Sequence, residues 1–491
     1  MTALPSPVNS GTSTLDEYPI FPKSSSPPTS PLRSTSGGLG EYDLEKTIPP
    51  TNDHRTLILC FDGTGDQFDD DNSNVVNFFS MLKKDDKSQQ LVYYQAGIGT
   101  YSVPEIARPA LDAMLGSHLN AHVMGGYEFL MQNYQFGDKI CLFGFSRGAY
   151  TARALAGMIH KVGLLPKCNH QQVPFAYKMY SREDEKGWRQ VACTIPHLRR
   201  QFSIDVDIEL LGVWETVSSV GFIPRRLPFT RSNTDVRYFR HALALDEHRA
   251  RFQPNFWNRP TPEELQRGVQ AGEMPKSRRT LNELEAQYTD GGEYLTHVEE
   301  VWFAGCHCDV GGGALPNAAR NSLARIPLRW MIRQCFLLQT GILFHADMLR
   351  LVGLDPATLY PRVLARPPPL FKTPLEAQSI NTMKTITSLG ECDFKSEEEE
   401  DLVDALSSIN DELKRVKLWW ILEVLPQKLR FQEKDDSWTQ KLDVHRGRGR
   451  HLPRQLTHGV KIHRAVKIRM DALGYKPKAN LKPTAEPIWV D

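Results

Sequence analysis

The sequence has no long apolar run. No stretch approaches the ~18 consecutive apolar residues that a membrane-spanning helix needs, and the chain does not open on a basic segment followed by an apolar one. Neither a membrane span nor a secretory leader is expected, which points to an intracellular, cytoplasmic protein. Charge of one sign is also lacking. The 59 Lys and Arg residues against 58 Asp and Glu leave a formal net charge of +1, so nothing in the overall charge favours a nucleic-acid partner. Paired C-x-x-C motifs are missing as well. The eight cysteines (60, 141, 168, 193, 306, 308, 335 and 392) are scattered over the whole length, which suits reduced thiols better than a disulfide framework.

The same scatter weakens every metal reading. "GCHCDV", from Gly305 to Val310, packs several donors together, but in an extended strand they alternate sides and do not converge on one ion. Cys168, His170, Cys193 and His197 have looser spacings in a loop region, where ordinary packing is the better reading. The acidic "DQFDDDNSN" has neither the glycine nor the closing glutamate of a calcium loop. No metal site is expected.

What is present is an ordinary globular enzyme composition, 40% apolar and 24% charged. Residues 1–50 depart from it, being Ser-, Pro-, Thr- and Gly-rich without apolar periodicity, and read as a disordered tail. From residue 51 short apolar runs alternate with helical patterns, the grammar of βαβ units. The runs are "RTLILCF" from Arg55, "LVYYQAG" from Leu91, "KICLFGF" from Lys139, "DIELLGVW" from Asp207 and "VEEVWFAGC" from Val298. They are apolar on both faces, as strands of a parallel sheet covered by helices on each side must be. Candidate helices between and after them include "SNVVNFFSMLKK", "GAYTARALAGMIHKVGLL" and "SLARIPLRWMIRQCFLL". The expected fold is α/β, with the catalytic domain over 51–345 and a mainly helical accessory region over 346–491 packed on it.

Ligands in such a sheet bind where loops leave the carboxyl ends of the strands. After "KICLFGF" comes Gly144-Phe145-Ser146-Arg147-Gly148, a G-x-S-x-G sequence between strand and helix, the context of a nucleophile elbow. Side chains at 144 and 148 would clash across so sharp a turn. A helix-capping serine is the plain alternative. A serine nucleophile needs a base and an acid, in the order Ser, acid, His in this kind of fold. Glu215 directly follows "DIELLGVW" and His307 follows "VEEVWFAGC", both polar groups at the ends of buried runs. Their plain alternatives are a salt-bridged loop carboxylate and a satisfied core histidine.

"CFDGTGD", "GFSRGAYTARALAGMI", "GVWETVSSVG", "RHALALDEHRARF" and "VWFAGCHCDVGGG" together resemble the α/β-hydrolase domain first catalogued as of unknown function and later linked to Tle-type phospholipase effectors of type VI secretion. The later "LWWILEVLPQK" and "HRGRGRHLPRQLTHGVKIHRAV" resemble the C-terminal part of its fungal members. The resemblance implies an α/β-hydrolase fold with Ser146 as nucleophile, His307 as base and the acid on Glu215. The family's acid is usually an aspartate, so the "WETV" of this chain departs from its "DTV". Asp309 or Asp246 would be the substitute acid. Oxyanion stabilisation is expected from the amides of Arg147 and of Gly63 or Thr64. The implied substrate is a phospholipid or another lipid ester, with no metal or organic cofactor.

Two other functions compete. A hydrolase-fold protein that binds without catalysing is suggested by the glutamate at 215. An aspartate-based phosphohydrolase is suggested by the strand ending in "DGT", with Asp62 as nucleophile, although the usual second aspartate is missing. In the C-terminal region Trp419, Trp420, Ile421 and Leu422 suit either a peripheral membrane contact or a core, and a cluster of this length favours the core. The basic "HRGRGRH" from His445 reads as a solvated or structural loop, with no nucleic acid expected.

Overall fold

The structure, a computed structural model, describes residues 46–63, 69–97, 108–182, 203–217, 227–257, 296–372, 394, 396–432, 438–453, 455, 459–482 and 486–491. The expected tail lies outside the described residues as far as residue 45. Residues 46–50 do not continue it: Thr47–Ile48 pairs antiparallel with Phe344–His345, and Ile48 is buried in the core.

An eight-stranded sheet organises the described chain. Its strands are β1 (Thr56–Phe61), β2 (Gln90–Gln95), β3 (Lys139–Phe145), β4 (Ile208–Trp214), β5 (Val236–Ala244), β6 (His297–Phe303), β7 (Val460–His463) and β8 (Pro487–Val490). They lie in the order β8-β7-β6-β5-β4-β3-β1-β2, and every neighbouring pair is parallel. The order reverses between β1 and β3, so the crevice above their carboxyl ends is the topological switch point where α/β proteins place their sites. The fold is that of the α/β-hydrolases.

The helices that bear on the site are α1 (Asn74–Met81), α2 (Arg108–Asn133), α3 (Ser146–Val162), α4 (His307–Gly311), α5 (Arg325–Leu337), α6 (Glu397–Ala405) and α7 (Arg464–Leu473). They cover both sheet faces, which is why the strands read as unbroken apolar runs. Along β1, Leu57, Leu59 and Phe61 join one core with Val123 and Tyr127 of α2 and Leu155 of α3. Ile58 and Cys60 join another with Phe78 of α1 and Met331 of α5.

Three strands of this sheet were not anticipated. In β5 the apolar run is broken by Arg240 and His241, yet both are buried. Their polar atoms are satisfied by Gln334 (2.7 Å from Arg240 Nε) and Glu300 (3.0 Å from His241 Nδ1). Strands β7 and β8 come from the region expected to be an accessory, and β7 joins the sheet through Ile462 opposite Trp302 of β6. A boundary at residue 345 would therefore cut one sheet, and residues 45–491 form one compact unit. The C-terminal region also holds an antiparallel hairpin, Pro426–Gln432 with Trp438–Val444.

The acidic run of that region is not a free surface. Ser396 caps α6 by accepting the Glu399 N–H at 3.2 Å, and four glutamates fill the first turn, where negative charge complements the helix dipole. Arginines at every fourth position of α5 form one stripe against it. Arg325 pairs with Glu400 (2.8 Å), Arg329 with Asp401 (2.7 Å) and Arg333 with Glu397, while Arg366 adds a second contact to Asp401 (2.9 Å). Among these groups Arg329, Arg333, Glu397 and Asp401 are buried.

Candidate active site

Strand β3 stays extended to Phe145 (φ −121°, ψ 141°). The next residue, Ser146, has φ +55°, and α3 starts on it. A non-glycine residue in this region is strained and marks a constrained turn. The two flanking glycines are required by close backbone approach. A Cβ on residue 144 would lie 2.6 Å from Gly148 O, and one on 148 would lie 2.2 Å from Phe61 O and 2.3 Å from Asp62 O. The elbow is thus seated directly on the loop that follows β1.

His307 is delivered by a second sharp turn. Strand β6 ends at Phe303, Gly305 takes φ +107°, and His307 is the first residue of α4. The strand thus ends three residues short of the apolar run "VEEVWFAGC", and the strand alternation assumed for "GCHCDV" does not hold, since His307 to Gly311 are helical. Among the described residues no group of three or more His, Cys, Asp or Glu is arranged to hold a metal ion. Cys193 and His197 lie outside the described residues.

The three polar groups meet in one chain of hydrogen bonds. His307 Nε2 is 2.9 Å from Ser146 Oγ, and His307 Nδ1 is 2.9 Å from Glu215 Oε2. An ionised carboxylate only accepts, so Nδ1 carries the proton and Nε2 accepts from the serine hydroxyl. Ser146 is 6% exposed, His307 3% and Glu215 not at all. The imidazole is flanked by the rings of Phe145 and Phe252, each with its centroid 4.8 Å away. Burial lowers the His307 pKa, only partly countered by Glu215, so the ring is neutral near neutral pH.

Glu215 also has positive φ, +50°. Its Oε1 accepts the Ala244 N–H at 2.6 Å and Arg450 Nη1 at 2.7 Å, and its Oε2 accepts Arg450 Nη2 at 2.8 Å. Burial alone would raise its pKa. Arg450 and His307 overcome that and hold the carboxyl well below the usual range.

Neither substitute acid reaches the imidazole. Asp309 accepts the Cys306 N–H (2.8 Å) and both the main-chain and side-chain N–H of Asn410 (3.0 and 2.7 Å). Burial raises its pKa to about 6. Asp246 accepts from Gly305 N (2.7 Å), Tyr475 Oη (2.6 Å) and Lys478 N (3.0 Å). Both brace the turn that carries His307, and the carboxylate hydrogen-bonded to the imidazole is that of Glu215.

Of the oxyanion candidates, Gly63 donates its N–H to Asp62 Oδ1 at 2.8 Å, and Thr64 lies outside the described residues. Asp62 is buried and also accepts from Ser73 Oγ (2.6 Å) and Tyr94 Oη (2.7 Å). Its two oxygens are thus engaged in fixing the loop after β1, not presented as a nucleophile.

Sequence reasoning missed three contributors. Glu247 accepts the His307 N–H at 3.3 Å and pairs with Arg249 at 2.7 Å. Phe252 covers the imidazole, and Arg450 grips Glu215. The first two lie in "DEHRARF", a motif noted only for resemblance. Arg450 sits in "HRGRGRH", which is a structural loop with one side chain turned into the site. The core reading of Trp419–Leu422 is corrected: Trp420 is 45% exposed and Ile421 57%, beside exposed Leu418, Val424 and Leu425. Trp419 and Leu422 are half-buried, and the Trp419 ring lies 5.5 Å from that of Phe252.

Several known proteins are similar to this chain. A yeast protein described as uncharacterized (Saccharomyces cerevisiae) is 27% identical over 81% of this chain and 77% of its own length. Among solved structures, an uncharacterized protein from Pseudomonas aeruginosa is 16% identical with a TM-score of 0.34, over 72% of this chain. A Tle1 effector bound to the VgrG spike of the type 6 secretion system is 17% identical with a TM-score of 0.28, over 56% of this chain. In both, the matched part spans 53% of the solved chain. The family model of the T6SS phospholipase effector Tle1-like catalytic domain matches residues 55–334. That span is more than half of the chain and holds all of Ser146, Glu215 and His307, and the protein belongs to this family of Tle1-like phospholipase effector catalytic domains.

Proposed function

We propose that the protein is a serine hydrolase that cleaves carboxylic esters of lipids, phospholipids foremost, through an acyl-enzyme on Ser146. The observation that carries the reading is the buried chain Ser146–His307–Glu215, with 2.9 Å at each link. His307 Nε2 takes the Ser146 proton while Oγ attacks the ester carbonyl, and the resulting oxyanion is held by the Arg147 amide and by one amide of the Gly63–Thr64 loop. Use of the Gly63 amide requires it to leave Asp62. The tetrahedral intermediate collapses, the ester C–O bond breaks, and the leaving alcohol takes the proton from His307. Water then gives its proton to His307, attacks the acyl carbon and releases the carboxylic acid with Ser146 restored. Glu215 keeps the imidazole in the required tautomer and offsets its charge when protonated. No step calls for a cofactor or a metal. A binding-only scaffold is the weaker reading, because a strained serine hydrogen-bonded to an oriented imidazole has no structural task that a plain cap would not perform.

The exposed apolar segment supports a reading in which the substrate arrives from a lipid surface. Leu418, Trp420, Ile421 and Val424 face solvent, Trp419 connects them through Phe252 to His307, and Lys414, Arg415 and Lys417 are exposed alongside. Apolar and aromatic groups flanked by cations suit peripheral contact with an anionic phospholipid surface.

Fluorophosphonate labelling tests the chemistry, since the reagent reacts with activated serines and not with a capping hydroxyl. Wild type should label and Ser146→Ala should not; equal labelling of the variant would sink the assignment. The lipid part is tested by fatty-acid release from phosphatidylglycerol vesicles, which should exceed release from a soluble short-chain ester.

A further inference from the structure

The geometry points to Arg450 as a positioning residue for the Ser146 site, one that fixes Glu215 and through it sets the proton affinity of His307; we propose this on the reading of Ser146, His307 and Glu215 as a catalytic triad. The argument begins with the acid. A glutamate has one more rotatable bond than an aspartate, so it needs more to hold it. Arg450 supplies a planar fork to both oxygens, at 2.7 and 2.8 Å, a geometry that lysine cannot reproduce. With the Ala244 N–H and His307 Nδ1, each carboxylate oxygen then has two donors, and the plane of the carboxylate is fixed.

Arg450 is itself immobilised. Nη1 also donates to Ala244 O at 3.1 Å and Nη2 to Phe252 O at 2.6 Å, and its own carbonyl accepts from Asn480 N at 2.9 Å. Its side chain is 1% exposed. The preceding Gly449 packs so tightly on Lys478 that a Cβ there would lie 1.7 Å from Lys478 O. The guanidinium therefore reaches Glu215 from 235 positions away in sequence because the C-terminal segment is docked.

The electrostatic consequence follows from the charges around the pair. His307 is faced by Glu215, Glu247 and Arg249, and Glu215 by His307, Arg450 and His241. An unneutralised buried carboxylate would raise the imidazole pKa and favour a resting imidazolium, which cannot take the serine proton. Arg450 neutralises that carboxylate and keeps the base available at lower pH.

Full-length Arg450→Met and Arg450→Lys proteins are to be compared with wild type on a soluble p-nitrophenyl ester across pH, with competent sites counted by fluorophosphonate titration. Arg450→Met is expected to lower kcat per titrated site by about 10–100-fold, the usual cost of an outer-shell partner, and to move the acid limb of kcat/KM upward by about one pH unit. KM should change less than about twofold. Arg450→Lys should restore most of the limb position, because it keeps the charge, but only part of kcat, because it loses the fork. Should Arg450→Met not fold, Arg450→Lys carries the test through that split. The proposal falls if the loss appears only as fewer titratable sites with kcat per site and limb unchanged. If Ser146→Ala still labels, the triad reading falls instead, whatever Arg450 does.

Discussion

Two regions hold this molecule together by different physics. The sheet and its flanking helices α1, α2 and α3 are built from fully buried apolar side chains such as Leu57, Ile58, Leu59 and Phe143. The layer formed by α5, α6 and α7 adds a set of buried guanidinium–carboxylate pairs to its apolar contacts. The apolar contacts of the first do not titrate, and it positions the nucleophile through one short turn. The second is held by charges far apart in sequence, and with the loops that follow it braces the other two members of the site: Asn410 on Asp309 beside His307, and Arg450 on Glu215. A local motif places the serine, whereas long-range polar pairing places its partners.

The largest expected effect separates the acid from its neighbours. Glu215→Gln keeps the volume but favours the wrong imidazole tautomer, and should cost up to ~10⁴ in kcat, as the equivalent change does in serine proteases. Glu215→Asp should keep much of the activity. Asp309→Asn and Asp246→Asn should instead lower stability, by about 1–3 kcal/mol for a buried polar group left badly paired, with kcat per titrated site near wild type. Denaturant melts beside active-site titration distinguish the two patterns; a collapse of kcat in Asp309→Asn with Glu215→Gln unaffected would move the acid.

The same contrast explains what was legible in the sequence. Ser146 and strand β3 were readable because the signal is local: an apolar run, two glycines and a serine within a few residues. Glu215 and His307 were readable as polar groups closing buried strands, and the acid was expected on Glu215; what Asp309 and Asp246 do instead needed the fold, since their hydrogen bonds with Gly305, Asn410 and Tyr475 join residues distant in sequence. Strand β5 escaped because Arg240 and His241 interrupt its apolar pattern, and only the distant Gln334 and Glu300 make their burial tolerable. Arg450 escaped for the same reason: nothing near it in sequence tells a solvated arginine from one facing Glu215. Trp420 and Ile421 erred the other way, since composition alone takes an aromatic and aliphatic cluster for a core.

A smaller but still large effect tests the charged layer. Asp401→Asn removes the carboxylate that Arg329 and Arg366 share but leaves Asp404 on Arg329 and Glu397 and Glu398 on Arg366, so it should cost about 1–3 kcal/mol, as for a buried polar group left partly paired. Leu59→Ala in the sheet core should cost about 2–5 kcal/mol, on the order of other large-to-small core changes. The two differ in pH dependence. Burial would raise the Asp401 pKa, but Arg366 and Arg329 hold it well below the ordinary range. A depressed folded-state pKa contributes stability that is present above the unfolded value of about 3.9 and is lost as pH falls below it. The penalty of Asp401→Asn should therefore shrink on acidification through pH 4, while that of Leu59→Ala should hold steady. Parallel acid dependence of the two penalties would mean that the charged layer is not what acid removes.

The smallest effect on stability belongs to the exposed apolar segment, and it sharpens the comparison by removing a large side chain that neither region uses. Ile421 is 57% exposed, so Ile421→Ser should leave unfolding within about 0.5 kcal/mol of wild type. Were Ile421 part of the core, as its sequence neighbourhood suggests, the same change would cost several times as much. On a lipid surface the sign of the argument reverses, because there the isoleucine is what becomes buried. Losing about half of a full side-chain burial, about 1 kcal/mol, should weaken binding to phosphatidylglycerol vesicles roughly fivefold in a cosedimentation assay. Added salt should weaken binding of both proteins by screening Lys414, Arg415 and Lys417. An unfolding shift of 2 kcal/mol or more, on the order of a true core truncation, would return this segment to the core, and unchanged vesicle binding would remove it from the membrane-facing surface.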